Sequence, residues 1–374
     1  MTATRPGLRT AIGTALAILL LLPCLGPVQA VAAPAGPPAT TAPPALEGPA
    51  QDPTPEPAAE PSAEPTQSPA PTSTPLPTPI PETALRSRAD VTPVQPFATA
   101  PFRLAPYTIR TLSWAALPYN GRGLLSLRKP SDSDANGVPY KRVNGRAYYH
   151  PGNVAEQGCR YVDAYVRTGN PAYLDRAVVR ARVLMQIAVR DRGALYFPYL
   201  WSYWGAGLRA PWYSAYSQGF ALSLFVRLYR VTGDGAYLGM ARGTFVSFRR
   251  LGRSRIRWVA YVSSSHWLWL EEYPSARPSH VLNGFNFALF GIYDYERLTR
   301  DRAARQLLLG ALATMRGNAT RYRVPGSVSY YDLVHYTQSL HYHRIHIWQL
   351  RMLRQISGSS WFSRLAAALA ADAG

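Results

Sequence analysis

Apolar residues recur at helical spacing through Gly158–Val189 and again through Ser214–Phe248, and each stretch is interrupted once. The interruptions match. One reads Arg167-Thr168-Gly169-Asn170-Pro171-Ala172-Tyr173-Leu174 and the other Val231-Thr232-Gly233-Asp234-Gly235-Ala236-Tyr237-Leu238, with Ala177 or Ala241 three residues on. The glycine ends one helix and the Tyr-Leu pair opens the next, so each stretch is predicted to be a helical hairpin. Weaker copies follow: Leu298-Thr299-Arg300-Asp301 breaks a helical pattern from Leu282 to Met315, and Ser357-Gly358 precedes Trp361-Phe362. Breaks spaced by roughly 60 residues, within the range of helical repeats, predict an all-α domain in which stacked hairpins bury faces that one hairpin would expose. The expected architecture is an α/α barrel, or toroid, with ligand bound at one rim where loops converge; that placement is analogy with such folds. Residues 99–150 are rich in Gly, Pro and Tyr and are predicted to be irregular with short strands.

The helical pattern is missing from the start of the chain. Arg5 and Arg9 precede an apolar run from Ala11 to about Leu25, followed by small residues at Val28-Gln29-Ala30 and Val31-Ala32-Ala33. This predicts a secretory signal peptide over residues 1–33. The run is short for a membrane-spanning helix, so no stable membrane insertion is expected after cleavage. Residues 34–98 are Pro, Ala, Thr, Ser and Glu with almost no large apolar side chain, which predicts a disordered linker. Removal of the signal leaves Cys159 as the remaining cysteine, so stability must come from a conventional core in residues 99–374. A secreted or wall-associated protein is the expected outcome.

Charge sharpens this. From residue 99 onward the chain carries 36 basic residues against 14 acidic ones, and Lys129 and Lys141 are its only lysines there. Such a field concentrates polyanions, and Arg forks match carboxylates. Nucleic acid, acidic polysaccharide and anionic lipid all satisfy charge alone.

Three stretches gather polar and aromatic residues where core packing does not require them. They are Pro211-Trp212-Tyr213-Ser214-Ala215-Tyr216-Ser217-Gln218-Gly219; Glu271-Glu272-Tyr273-Pro274 with Val281-Leu282-Asn283-Gly284-Phe285; and Tyr330-Tyr331-Asp332-Leu333 with His341-Tyr342-His343-Arg344-Ile345-His346-Ile347-Trp348-Gln349-Leu350. In this order and with these gaps they resemble the C-terminal catalytic domain of D-glucuronyl C5-epimerases, over about residues 148–355. The resemblance implies an α/α barrel, and an activity that inverts C5 of glucuronate within an acidic polysaccharide, with no obligatory cofactor. It selects acidic polysaccharide over nucleic acid as the partner. It also implies roles: Glu272 and Tyr342 as the opposed proton-transfer pair with Tyr273 assisting. Substrate contacts are expected from Tyr331, Asn283, Gln218, Ser214, Tyr149, Arg344 and His343. Inversion needs a base on one face of the sugar and an acid on the other, and Glu and Tyr suit these roles in a dry, Arg-rich pocket.

Some positions depart from the family pattern. Val334 stands where the family has an arginine suited to substrate carboxylate, with Arg344 a candidate replacement; Phe287 stands for a tyrosine. Asn153 and Glu156 replace two binding glutamines. A uronate lyase, which begins with the same proton abstraction, and a non-catalytic glycan-binding module are the alternatives. Zn²⁺ on His343 and His346 at i, i+3 is weighed below structural hydrogen bonding. The oligomeric state stays open, a homodimer included.

Overall fold

The computed structural model describes residues 94–119, 123–253 and 257–373; the expected signal peptide and most of the expected linker lie outside these. The described helices form four hairpins. They are α1 (Pro151–Thr168) with α2 (Pro171–Ile187), α3 (Ala215–Thr232) with α4 (Gly235–Arg249), α5 (Leu282–Thr299) with α6 (Arg302–Asn318), and α7 (Leu340–Ser357) with α8 (Ser360–Asp372).

All four hairpins turn the same way. A Thr or Ser hydroxyl at the end of the first helix donates to the carbonyl four residues back: Thr168 to Ala164, Thr232 to Leu228, Thr299 to Tyr295 and Ser357 to Leu353, at 2.7–2.8 Å. The same oxygen accepts the amide two residues on, from Asn170, Asp234, Asp301 or Ser359. Between them sits a left-handed residue, Gly169, Gly233, Arg300 or Gly358. Asn170, Asp234 and Asp301 then cap the next helix by accepting an amide at its first turn. The period seen in the sequence is therefore a repeated hydrogen-bonded device.

The first helices of successive hairpins pack side by side, α1 on α3, α3 on α5 and α5 on α7, while α2, α4, α6 and α8 lie behind their partners. This is an α/α toroid. Gly219 and Gly291 let α3 and α5 touch backbone to backbone, since a Cβ on Gly291 would lie 2.2 Å from the Gly219 carbonyl oxygen. The axis is filled. Tyr119 packs its ring against Phe220 of α3, Phe287 and Phe290 of α5 and Trp348 of α7. Below it, buried Arg227 of α3 pairs with Asp163 of α1 at 2.5 Å and Asp294 of α5 at 3.5 Å. Burial raises the Asp163 pKa to about 6 against the pull of Arg227. The desolvation of such a cluster makes it a means of fixing helix register more than a net source of stability.

Tyr119 arrives on an extended segment that crosses the turns. Along it Val94 donates to the Asp301 carboxylate, Ala105 to the Leu309 carbonyl and Arg110 to the Ile356 carbonyl. Phe97 exchanges two bonds with the Gln306 amide, so packed structure extends upstream of residue 99.

Strands occur among the described residues as three antiparallel ribbons. The first, β1 (Tyr140–Val143) with β2 (Arg146–Tyr149), falls where short strands were expected. The others were not foreseen: β3 (Val189–Asp191) with β4 (Ala194–Tyr196), and β5 (Ala260–Val262) with β6 (Leu268–Leu270). Both connect one hairpin to the next. Their inner strands are buried at every position, so three residues give no alternation to read.

Candidate active site

The loops opposite the turns lead into the N-termini of α1, α3, α5 and α7, and aromatic contacts tie these four ends together. His150, which caps α1, lies 5.0 Å from the Tyr199 ring; Tyr199 stacks on Trp212 at 3.9 Å; Trp212 is 6.0 Å from Tyr273. The Tyr273 hydroxyl is 3.4 Å from that of Tyr331, whose ring is 4.5 Å from Tyr342 in the first turn of α7. The positive ends of four helix dipoles thus share one rim.

Strand β6 delivers Glu271 and Glu272 into this rim, and the two carboxylates diverge. Glu271 is fully buried beneath the next loop, with Oε1 2.6 Å from His280 Nδ1 and Oε2 accepting the His280 amide. His280 has φ 56° and stacks on Trp269 at 3.9 Å, and its carbonyl accepts from Tyr322. Glu271 therefore anchors the loop that leads to α5. Its own carbonyl accepts the Ala215 amide at the start of α3, so one residue braces two helix ends.

Glu272 turns the other way. Its Oε1 accepts from the Tyr331 hydroxyl at 3.2 Å, while Oε2 is buried without a hydrogen-bond partner among the described residues. The carboxyl lies over Gly284 in the first turn of α5: a Cβ there would sit 2.0 Å from Oε2. Burial pushes the Glu272 pKa up to about 7; the Tyr273 and Tyr331 hydroxyls pull it down, and Glu271 and Asp332 push it up. After burial, tyrosines and carboxylates rather than the arginines expected adjust its proton affinity. Around it burial, then the Glu272 charge, drive the Tyr342 hydroxyl well above its ordinary value and push Tyr203 up to about 12. The site is a buried carboxyl near half-ionisation at neutral pH, caged by phenols that hold their protons.

Tyr331 is placed by backbone pairing. Its carbonyl accepts the Leu282 amide, its amide donates to the Thr337 carbonyl, and Leu333 donates to the Ser279 carbonyl. Asp332 organises the turn by accepting the amides of Val334 and His335. Asn283 is buried on α5, its Oδ1 without a partner among the described residues, while its carbonyl accepts from Gln349. Glu272, Tyr273, Tyr331 and Tyr342 are thus brought together, with Asn283 beside Gly284.

Among the other residues expected to contact substrate, Gln218, Ser214 and His343 are engaged within the fold. Gln218 is fully buried and its amide is consumed internally: Oε1 accepts from Phe197, and Nε2 donates to Leu195 and Ser247. It is framework. Ser214 caps α3 by accepting the Tyr216 amide. Buried His343 accepts the Ser329 amide at Nδ1 and meets the Leu369 carbonyl at Nε2, which ties α8 to the loop before α7. The Tyr149 hydroxyl donates to Asp134 at 2.7 Å. Arg344 is exposed on α7. His346 is fully buried with Nδ1 2.8 Å from Ser329 Oγ, and no group of three His, Cys, Asp or Glu suited to a metal occurs among the described residues. Sequence reasoning missed Gly284, Tyr203 and Tyr199. Gly284 had a visible signal, a glycine inside the first turn of a helix, but its role depends on Glu272 folding over it.

Residues 190–369 match the family model described as "D-glucuronyl C5-epimerase C-terminus". This part, a little under half of the chain, is similar to that family. A D-glucuronyl C5-epimerase of Caenorhabditis elegans is 26% identical over 175 residues, 41% of this chain and 28% of the relative. An uncharacterized protein of Methanocaldococcus jannaschii is 30% identical over 151 residues, 39% of this chain and 48% of the relative. The chain thus spans less than half the length of each of these relatives. Among solved structures, a cellobiose 2-epimerase from Bacillus thermoamylovorans is similar with a TM-score of 0.46 and 13% identity, over 64% of each chain. A sugar epimerase from a ruminal bacterium has a TM-score of 0.46 and 10% identity, over 61% of each chain. Likeness at that level has no bearing on the chemistry.

Proposed function

We propose that this protein is a carbohydrate epimerase that inverts C5 of uronate residues within an acidic polysaccharide. The observation that carries the reading is Glu272: a buried carboxyl with a pKa of about 7, one oxygen unpartnered, in a cage of tyrosines. A uronate C5 hydrogen sits beside a carboxylate and is weakly acidic, so its removal needs a desolvated base poised near neutral pH. Glu272 Oε2 takes that proton, and the electron pair of the C5–H bond passes into the carboxylate as an enediolate. Tyr342, held as a phenol, returns a proton to the opposite face. The oxidation state is unchanged, so the step needs no redox cofactor. Asn283 and the N-terminal ends of α5 and α7 offer dipoles to the enediolate oxygens, compensating for the absence of an arginine at Val334. The excess of basic residues supports an acidic polymer as substrate.

The test is exchange in D₂O with glucuronate-containing polymers, read as deuterium at C5 by NMR. Incorporation without chain shortening supports epimerisation. Shortened chains with a new C=C absorbing in the ultraviolet would mean a lyase. Binding that survives Glu272→Gln and Tyr342→Phe, with no exchange by the unaltered protein, would mean a binding module.

A further inference from the structure

Beside the Glu272 cage the chain builds an exposed aromatic platform that the proton chemistry does not use. The loop from Tyr199 to Trp212 is closed at its base by paired backbone bonds between Tyr199 and Trp212, and nearer its tip by a second pair between Tyr203 and Leu208. Ser202 Oγ accepts the Ala210 amide, and the Trp212 indole donates to the Trp201 carbonyl. The loop is thus rigid, and its half-buried Tyr203 ring is turned toward the cage, 5.4 Å from Tyr273. The very next residue, Trp204, opens a short 3-10 turn and leaves 68% of its surface exposed. The exposed Arg209 guanidinium lies 5.8 Å from the Trp204 ring. The Trp204 ring is thus held out in water beside a cation, one residue along the chain from Tyr203 of the cage.

We infer that Trp204 and Arg209 form a subsite for an acidic sugar that lies two or more units along the polymer from the reacting uronate at Glu272. The indole face suits the C–H face of a pyranose, and the guanidinium suits the anionic group of that sugar. The inference rests on the uronate-polymer reading above and adds that the protein reads the chain beyond its reacting unit. Trp204 touches no reacting atom, so its effect falls on binding rather than on the proton transfers.

The probes are glucuronate-containing oligosaccharides of two and six sugars, titrated by calorimetry into the whole protein and its Trp204→Ala and Arg209→Gln variants. Thermal melts check that both fold, which the exposure of both side chains favours. Trp204→Ala is expected to weaken six-sugar binding by roughly tenfold while leaving two-sugar binding unchanged. Arg209→Gln is expected to weaken six-sugar binding by roughly threefold, a loss that disappears at high salt. Equal losses for both lengths, no loss for either, or no six-sugar binding by the unaltered protein would each overturn the subsite. Because the readout is binding, the subsite is separable from the reaction. Length-dependent loss without C5 exchange would keep the platform and remove the epimerase reading; exchange with unaltered affinity in Trp204→Ala would do the reverse.

Discussion

The two ends of the hairpin stack obey opposite rules. At the turn end, four copies of one device satisfy their own hydrogen bonds, and the upstream segment covers them with further pairs to Asp301, Gln306 and Ile356. At the loop end, a carboxyl oxygen of Glu272 and the amide oxygen of Asn283 are buried without partners among the described residues. His280 holds a positive φ there, and the Glu272 pKa is raised by burial. One end is optimised for folding. The other stores unsatisfied polar groups, as expected where chemistry is done.

The strongest way to break this comparison is Glu272→Gln, expected to lower C5 exchange by about a thousandfold or more, within the range for losing a general base. The same variant sharpens it through stability. A folded pKa of about 7 against an unfolded value of 4.5 means that the folded state binds more protons. Stability should therefore fall as pH rises from 4.5 through about 7. Glu272→Gln removes that loss, so at pH 8 it should melt above the unaltered protein, whereas at pH 4.5 the two should coincide. The exchange rate should run opposite to stability, rising through pH 7 as Glu272 ionises. A rate that falls across that interval would remove Glu272 as the base.

Gly284→Ala comes next. The added methyl would sit 2.0 Å from Oε2 and 2.7 Å from the Glu272 Cβ, so the side chain must leave its place. An activity loss of about a hundredfold is expected from such a displacement. Circular dichroism should show an intact helical fold, since alanine favours the helix. At the turn end the pattern inverts. Asp234→Ala should cost about 1 kcal/mol in chemical denaturation through loss of the cap, with exchange unchanged. The smallest effect should be Arg300→Gly, a gain of up to about 1 kcal/mol, because this hairpin alone places a non-glycine residue at the left-handed position.

The Thr-Gly-Asp breaks could be read because each turn is local: donor, acceptor and cap lie within a few residues of one another. The short ribbons β3–β4 and β5–β6 could not, since three buried residues carry no period. The motif residues divide in the same manner. Glu272, Tyr273, Tyr331 and Tyr342 lie together at the rim, while Gln218, Ser214 and His343 share those motifs and are bonded within the framework. Motif membership follows sequence. Side-chain direction follows partners such as Ser247 and Leu369, which lie 29 and 26 residues away.

The sequence by itself determined the number of hairpins, their turns, the excess of positive charge and the family likeness of residues 190–369. Tertiary structure alone decided that Glu271 turns away to brace two helix ends, that Gly284 is the floor beneath Glu272, and that Tyr203 joins its cage. Periodicity and capping act over one or two turns of chain. Burial, and with it the proton affinity of Glu272, is fixed by groups that distant segments bring together, from Glu271 just after β6 to Tyr331 and Asp332 in the loop before α7.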